Sequence, residues 1–246
     1  SVTVTDQNGC TLVEVFPLSD INAEVLTMDS TDVSCFGLCD GGVEVIYVCG
    51  DPVCTNQWFD GTTGTPLAGE TGTTVSNLCA GDYYVEVTNA SGCVSVGLTT
   101  VGSPTQIIAN EVITQVTCNG SSDGSIVVAP SGGSGAGYTF VWTPVPPNGQ
   151  GTNSALNIPA GTWCVDITDS DNCTESYCYD LLDPTPIVIT PTVTDPLCNG
   201  DCNGTLSATA SGGTGGTYTF GWGGGLGFGQ NVTGACAGFH DVFAVD

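Results

Sequence analysis

Residues 161–178 read GTWCVDITDSDNCTESYC, and this stretch decides the fold. Trp163, Val165 and Ile167 fall at every second position, the period of a strand with one face buried. Asp169-Ser-Asp-Asn172 then supplies turn residues, after which a second strand runs towards Leu181. The pattern predicts a β-hairpin. Cys164 and Cys178 flank its turn symmetrically and would face each other across it.

The stretch recurs. VTVTDQNGC ends at Cys10, VEVTNASGC at Cys93 and VDITDSDNC at Cys173, spacings of 83 and 80 residues. A second landmark keeps the same phase: CFGLCDGGVEV from Cys35, CNGSSDGSIVV from Cys118 and CNGDCNGTLSA from Cys198. Trp58, Trp142 and Trp222 follow at intervals of 84 and 80, and Pro17, Pro104 and Pro184 punctuate the joints. A fixed period of this length marks a repeat architecture. It divides the chain into residues 1–19, the closing hairpin of a preceding repeat; whole repeats over 20–103 and 104–183; and 184–246, a repeat expected to lack its last strand.

Inside each repeat the apolar residues alternate again: Val43, Val45 and Tyr47, then Ile126 and Val128, then Leu206 and Ala208. Turn signals come every 8 to 14 residues, and helical periodicity is lacking. Lettered A to G, the strands run from Ile21 to Cys35 (A), from Gly42 (B), around Trp58 (C), in one or two short pieces to Leu78, from Tyr83 (F) and from Val94 (G). The expectation is an all-β chain of immunoglobulin-like β-sandwich repeats of about 80 residues, strung as a disulfide-stapled linear array. The tryptophans would occupy the cores. Tyr83 and Trp163, each two residues after an Ala-Gly pair, would act as tyrosine corners, with His240 in that place in the third repeat.

Composition narrows the function. The chain carries 25 acidic residues, one histidine and no lysine or arginine, a formal charge of −25. Ordinary usage would supply roughly thirty basic residues in such a length. Without fixed cations the chain cannot neutralise phosphates, which excludes nucleic acid as partner. Docking on anionic lipid is disfavoured for the same reason, and no apolar run is long enough to insert in a membrane. Fourteen cysteines in a Gly- and Thr-rich chain read as disulfides formed in an oxidising compartment. No GxSxG, HExxH or P-loop motif is present, so no catalytic residue is nominated and no cofactor is expected. No signal peptide or initiator methionine appears, and the sequence reads as cut from something longer.

The order CNGSSDGS, SGGSGAGYTFVW, AGTWCVDITDSDNC, then TPIVIT resembles the SprB repeat of Bacteroidota gliding adhesins, a relative of PKD-type sandwiches. The resemblance runs once per repeat. The first repeat departs from it, with CGDPVCTNQW where the others carry the SGG…YTF loop. The resemblance implies export by the type 9 secretion system and display on the outer cell surface, outside the cell.

Comparing repeats also assigns disulfides. Cys39 and Cys79 correspond to Cys202 and Cys236, and both counterparts vanish together in the middle repeat, as Ser122 and Pro159. Joint presence and joint absence identifies bonded pairs. Cys164 and Cys178 are jointly replaced by Tyr84 and Leu98 in the first repeat, whereas Cys49 and Cys54 occur only there. The remaining cysteines fall one in each A–B turn (35, 118, 198) and one in each F–G turn (10, 93, 173). Those turns lie at opposite poles of a sandwich, so the natural bond joins neighbouring repeats, Cys35 to Cys173; Cys35–Cys93 is the competing pair.

Three weaker signals stand beside these. Asp169, Asp171 and Asn172 could hold Ca2+, against simple turn chemistry. Asp29-Ser30-Thr31 resembles an O-glycosylation motif, nominating Ser30 against an ordinary exposed turn. His240 lacks any catalytic neighbour and reads as structural. Three functions remain open: the shaft of a long surface adhesin, a carbohydrate-binding module, and a spacer in a secreted polysaccharide-acting protein. The expected partners are neighbouring repeats of the same chain, with surface glycans or a substratum reached through other parts of the parent.

Overall fold

The computed structural model describes residues 2–14, 24–50 and 53–246, and every regular element among them is a β-strand. The joint expected near Pro17, the boundary at 19/20 and the strand start at Ile21 lie outside the described residues. The chain forms two compact units, Ser1–Gln106 and Ile107–Asp246.

The first unit opens with the hairpin β1 (Val2–Thr5) and β2 (Thr11–Glu14), in register Thr5↔Thr11. A sandwich follows. One sheet holds β3 (Thr27–Thr31), β4 (Gly41–Ile46) and β6 (Thr74–Leu78); the other holds β5 (Cys54–Asp60), β7 (Gly81–Asn89) and β8 (Val94–Val101). In strand letters these are A, B, E and C, F, G. Strand A is shorter than the sequence suggests, because residues 32–40 are a structured turn. There Asp32 Oδ1 accepts the Gly102 amide at 2.7 Å, and Asp40 Oδ1 accepts that of Ser34 at 2.9 Å.

The second unit starts within β9 (Thr105–Ile108) and holds two sandwiches. The first has sheets of β10 (Glu111–Thr114), β11 (Gly124–Val128) and β14 (Ser154–Ile158), and of β13 (Thr139–Thr143), β15 (Gly161–Thr168) and β16 (Thr174–Leu181). The short β12 (Ser131–Gly133) pairs with β9. The other pairs β17 (Thr185–Thr194), β18 (Gly204–Gly213) and β21 (Asn231–Ala235) in one sheet. Its second sheet has β19 (Thr219–Trp222), β20 (Gly227–Phe228) and β22 (Val242–Val245). Here the F strand, β22, pairs with β19 alone.

The cores repeat in phase, in full in the first two sandwiches and through strands B and C in the third. Val43 and Val45 of β4, Trp58 of β5, and Tyr83, Val85 and Val87 of β7 are buried. Their counterparts Ile126, Val128, Trp142, Trp163, Val165 and Ile167 are buried in the next sandwich, and Leu206, Ala208 and Trp222 in the third. The alternation B-i-B-i-B in β7 and β11 is the inward–outward period of a half-buried strand. Glycine opens the B strands of the first two sandwiches because the closing strand comes close. A Cβ on Gly41 would fall 2.5 Å from Val101 Cγ1, and one on Gly124 2.4 Å from Leu181 Cδ2.

Trp142→Ala is expected to lower the stability of the second sandwich by about 3–5 kcal/mol, the usual effect of emptying an indole from a packed core. Amide exchange would show it as lost protection in β15, with β7 of the other unit unchanged.

Candidate functional site

The positions that recur most faithfully are turns, not a cleft, and the cysteines sit in them. Each F–G turn is closed by an Asx residue four positions before its cysteine. Asp6 Oδ1 accepts the amides of Asn8 (2.9 Å) and Cys10 (2.8 Å). Asn89 Oδ1 accepts those of Ser91 (3.1 Å) and Cys93 (2.9 Å). Asp169 Oδ1 accepts those of Asp171 (3.0 Å) and Cys173 (2.9 Å). The residue before the cysteine takes positive φ in all three: Gly9 at 85°, Gly92 at 81° and Asn172 at 65°. Glycine and asparagine tolerate that conformation at least cost, which explains Gly or Asn there.

The A–B turns are equally uniform. The amide three residues on donates to the carbonyl of Cys35, Cys118 or Cys198 at 3.0–3.1 Å, and Gly37, Gly120 and Gly200 take positive φ. Asp40, Asp123 and Asn203 pin these turns through the amides of Ser34, Thr117 and Leu197. The hydroxyl of Ser34 holds the Asp40 carboxyl below its ordinary range, followed by the Ser34 amide; Thr117 does the same for Asp123.

Four disulfides bind single sandwiches. Cys39–Cys79 and Cys202–Cys236 tie the A–B turn to the E–F corner, Cys164–Cys178 crosses the F–G hairpin in register, and Cys49–Cys54 joins the end of strand B to the start of C. Where the first sandwich lacks the hairpin bond, a row Phe59–Tyr84–Leu98 crosses the outer face, with the Phe59 and Tyr84 rings stacked at 4.7 Å. Cys10, Cys93, Cys118 and Cys198 are free thiols. Cys35 and Cys173 belong to different units.

The corner residues also match. Tyr83 Oη donates to Cys79 O at 2.9 Å and Trp163 Nε1 to Pro159 O at 3.1 Å. His240 Nε2 lies 2.9 Å from Cys236 O. Three different side chains thus make one i−4 bond to the E–F corner. Among the described residues, His240 Nδ1 is buried without a partner.

Asp169 is 4% exposed. Burial pushes its carboxyl up, but the amides of Ser134, Cys173 and Asp171 and the Ser134 hydroxyl outweigh that and hold it below the ordinary value. Both its oxygens therefore face backbone N–H donors, while Asp171 and Asn172 are exposed at the tip. Ser30 is half-buried within β3 opposite Val43, in a strand rather than a turn.

A protein-family model described as the SprB repeat matches residues 110–146 and 190–227, from strand A through the core tryptophan of the second and third repeats. No curated protein matches the sequence. Among solved structures, the three N-terminal domains of the highly immunogenic outer capsid protein (Hoc) of bacteriophage RB49 are 14% identical, with 89% of this chain and 86% of that one covered and a TM-score of 0.39. The titin I-band fragment I67–I69 is 9% identical, covering 91% and 93%, with a TM-score of 0.34. The insect immune protein hemolin is 13% identical, covering 65% and 42%, with a TM-score of 0.29. Likeness at these scores carries no argument about ligands.

Replacing Cys164 and Cys178 together by serine is expected to destabilise the second sandwich by about 3 kcal/mol, the chain-entropy value for a loop of this length, read by amide exchange in β15 and β16. Asp169→Asn keeps the Oδ1 acceptor, as Asn89 does, but loses the acceptor for Ser134. A depressed folded-state pKa contributes stability that is full above the ordinary carboxyl value of 3.8 and is lost as pH falls through the folded value. In a denaturation series from neutral pH to pH 2, the variant should start less stable and lose less over that acid window.

Proposed function

We propose that these sandwiches are the structural shaft of a long, secreted adhesin on the outer bacterial surface, exported by the type 9 secretion system and serving attachment or gliding. The observation that carries this reading is one stapled sandwich repeated in phase at 83 and 80 residues, with SprB repeat matches in two copies. Repeat and immunoglobulin-like families are typically non-catalytic, and the function assigned here is mechanical. Small sandwiches bury limited apolar area and gain from disulfides, which requires an oxidising environment outside the cytoplasm. A charge of −25 with no fixed cation makes the surface self-repelling, favouring extension over collapse at low salt.

A second reading, glycan contact by the first sandwich, is favoured by the outer row Phe59–Tyr84–Leu98, in which Leu98 is 74% exposed.

The test uses native cells. Antibodies to the second sandwich should label positions beyond the outer membrane, and in-frame removal of whole repeats should bring label on the distal end closer and reduce attachment. Label that stays with a secreted polysaccharide-degrading activity, with attachment unchanged, would overturn the shaft in favour of a spacer. Loss of attachment on Tyr84→Ala alone, with the repeat number intact, would instead support glycan contact.

A further inference from the structure

We infer that the cleft beside Tyr84, on the outer face of the first sandwich, binds a glycan through a hexosamine that carries a free amino group. The inference rests on the glycan reading of this face and adds the class of sugar.

The flanks of the sandwiches are the surfaces that a tandem array leaves to a partner, because consecutive sandwiches meet at their poles. The second unit has such a joint between its two sandwiches. Asn119, in the A–B turn, donates to Asp183 Oδ2 at 3.0 Å and to Pro184 O at 2.8 Å, and the amide of Gly120 donates to Asp183 Oδ1 at 2.9 Å.

On the outer face of β5, β7 and β8, the row Phe59–Tyr84–Leu98 sets the first sandwich apart. In the second, Cys164 and Cys178 stand where Tyr84 and Leu98 do, and their bond closes the row. The neighbouring row of the first sandwich is polar. Thr100 Oγ1 donates to Asp82 Oδ1 at 2.7 Å, and Gly61, whose amide donates to Asp82 O at 2.7 Å, adds no side chain. A cleft of about 340 Å³ lies here, bounded by Tyr84 and Leu98 and by Gly61, Asp82 and Thr100. It thus joins an aromatic ring and an aliphatic side chain to a carboxylate and a hydroxyl already held in place.

Charge selects the ligand. Asp82 is exposed, and among the described residues nothing donates to its Oδ2. The chain has no lysine or arginine to offer. Asp82, Tyr84 and Glu86 alternate along β7 and share its outer face, so a carboxylate stands on each side of the Tyr84 ring, about 7 Å along the strand. Acidic sugars are repelled from such a face. An ammonium group gains a charge-assisted hydrogen bond from Asp82 and the attraction of the tyrosine ring. A hexosamine brings that ammonium on a rigid ring, with C–H groups for Tyr84 and Leu98 and hydroxyls for Thr100. A lysine side chain brings a point charge on a flexible stem and no hydroxyl. The two carboxylates favour a chain of amino sugars over a single one.

The test is calorimetric titration of the intact chain, in mildly acidic buffer, with three probes: an oligomer of glucosamine, the same oligomer fully N-acetylated, and an oligolysine of equal charge. The glucosamine oligomer should bind most tightly. Asp82→Asn, which keeps the acceptor for Thr100, should weaken it about tenfold, as should Tyr84→Ala. Tyr84→Cys combined with Leu98→Cys places cysteines where the second sandwich has its bond, and should abolish binding in a folded chain. Glu44→Gln removes the same charge from an exposed site on the other sheet and should change nothing. Equal affinity for the N-acetylated oligomer would overturn the amino-sugar class and leave glycan contact standing. Oligolysine binding as tightly, or Glu44→Gln costing as much as Asp82→Asn, would reduce the effect to diffuse attraction and overturn it. Binding of neither saccharide would overturn the glycan reading as well.

Discussion

One contact organises each sandwich: a tryptophan of strand C, buried between the sheets, whose indole N–H reaches a backbone carbonyl on the way to strand E. Trp58 donates to Gly72 O, Trp142 to Thr152 O and Trp222 to Gly229 O, each at 2.9 Å. An indole fills more of the core than any other side chain, yet leaving its N–H unpaired there would cost about 1–3 kcal/mol. Satisfying it from the C–E connection pins an otherwise irregular segment to the core. The flanking valines and isoleucines then pack against the indole in the order their period-two spacing dictates.

The absence of lysine and arginine changes how the remaining polar groups are satisfied. Carboxylates that would ordinarily find cations take backbone amides and hydroxyls instead. Asp60 is held below its ordinary range by the Thr63 amide and hydroxyl, with the Thr62 amide adding to them, and Asp246 by the amide and hydroxyl of Thr214. The Asp60 bonds are local and stabilise its own turn, whereas Asp246 ties down Thr214 on a loop distant in sequence. The surface stays anionic while the turns are rigid, and the cysteines they carry are presented in fixed directions.

Much of this was legible in the residues. The hairpin 161–178 could be read because strand, turn and cysteine positions all point to the same register, which the structure has as Cys164↔Cys178. The corner role of His240 was legible by its phase with Tyr83 and Trp163. Strand A was overread, since Val33 continues the apolar pattern and is buried, although the chain around it is already turning. The pinning residues Asp40, Asp123 and Asn203 recur in phase and could have been found by the same comparison. The Asp169 cluster was ambiguous because clustered oxygens suit a cation and a turn equally; which groups face those oxygens depends on the fold. The stacked Phe59–Tyr84 row had no signal in one repeat alone, since cross-strand partners are distant in sequence.

The joint in the second unit has a consequence for how such genes change. Its hydrogen bonds run from the A–B turn to Asp183, the last residue of the same repeat, and to a main-chain carbonyl, that of Pro184, at the start of the next. Each repeat therefore brings its own coupling to whatever sandwich comes after it. Unequal exchange between neighbouring coding copies adds or deletes entire sandwiches without creating a mismatched seam, so copy number can drift between strains while every surviving domain folds.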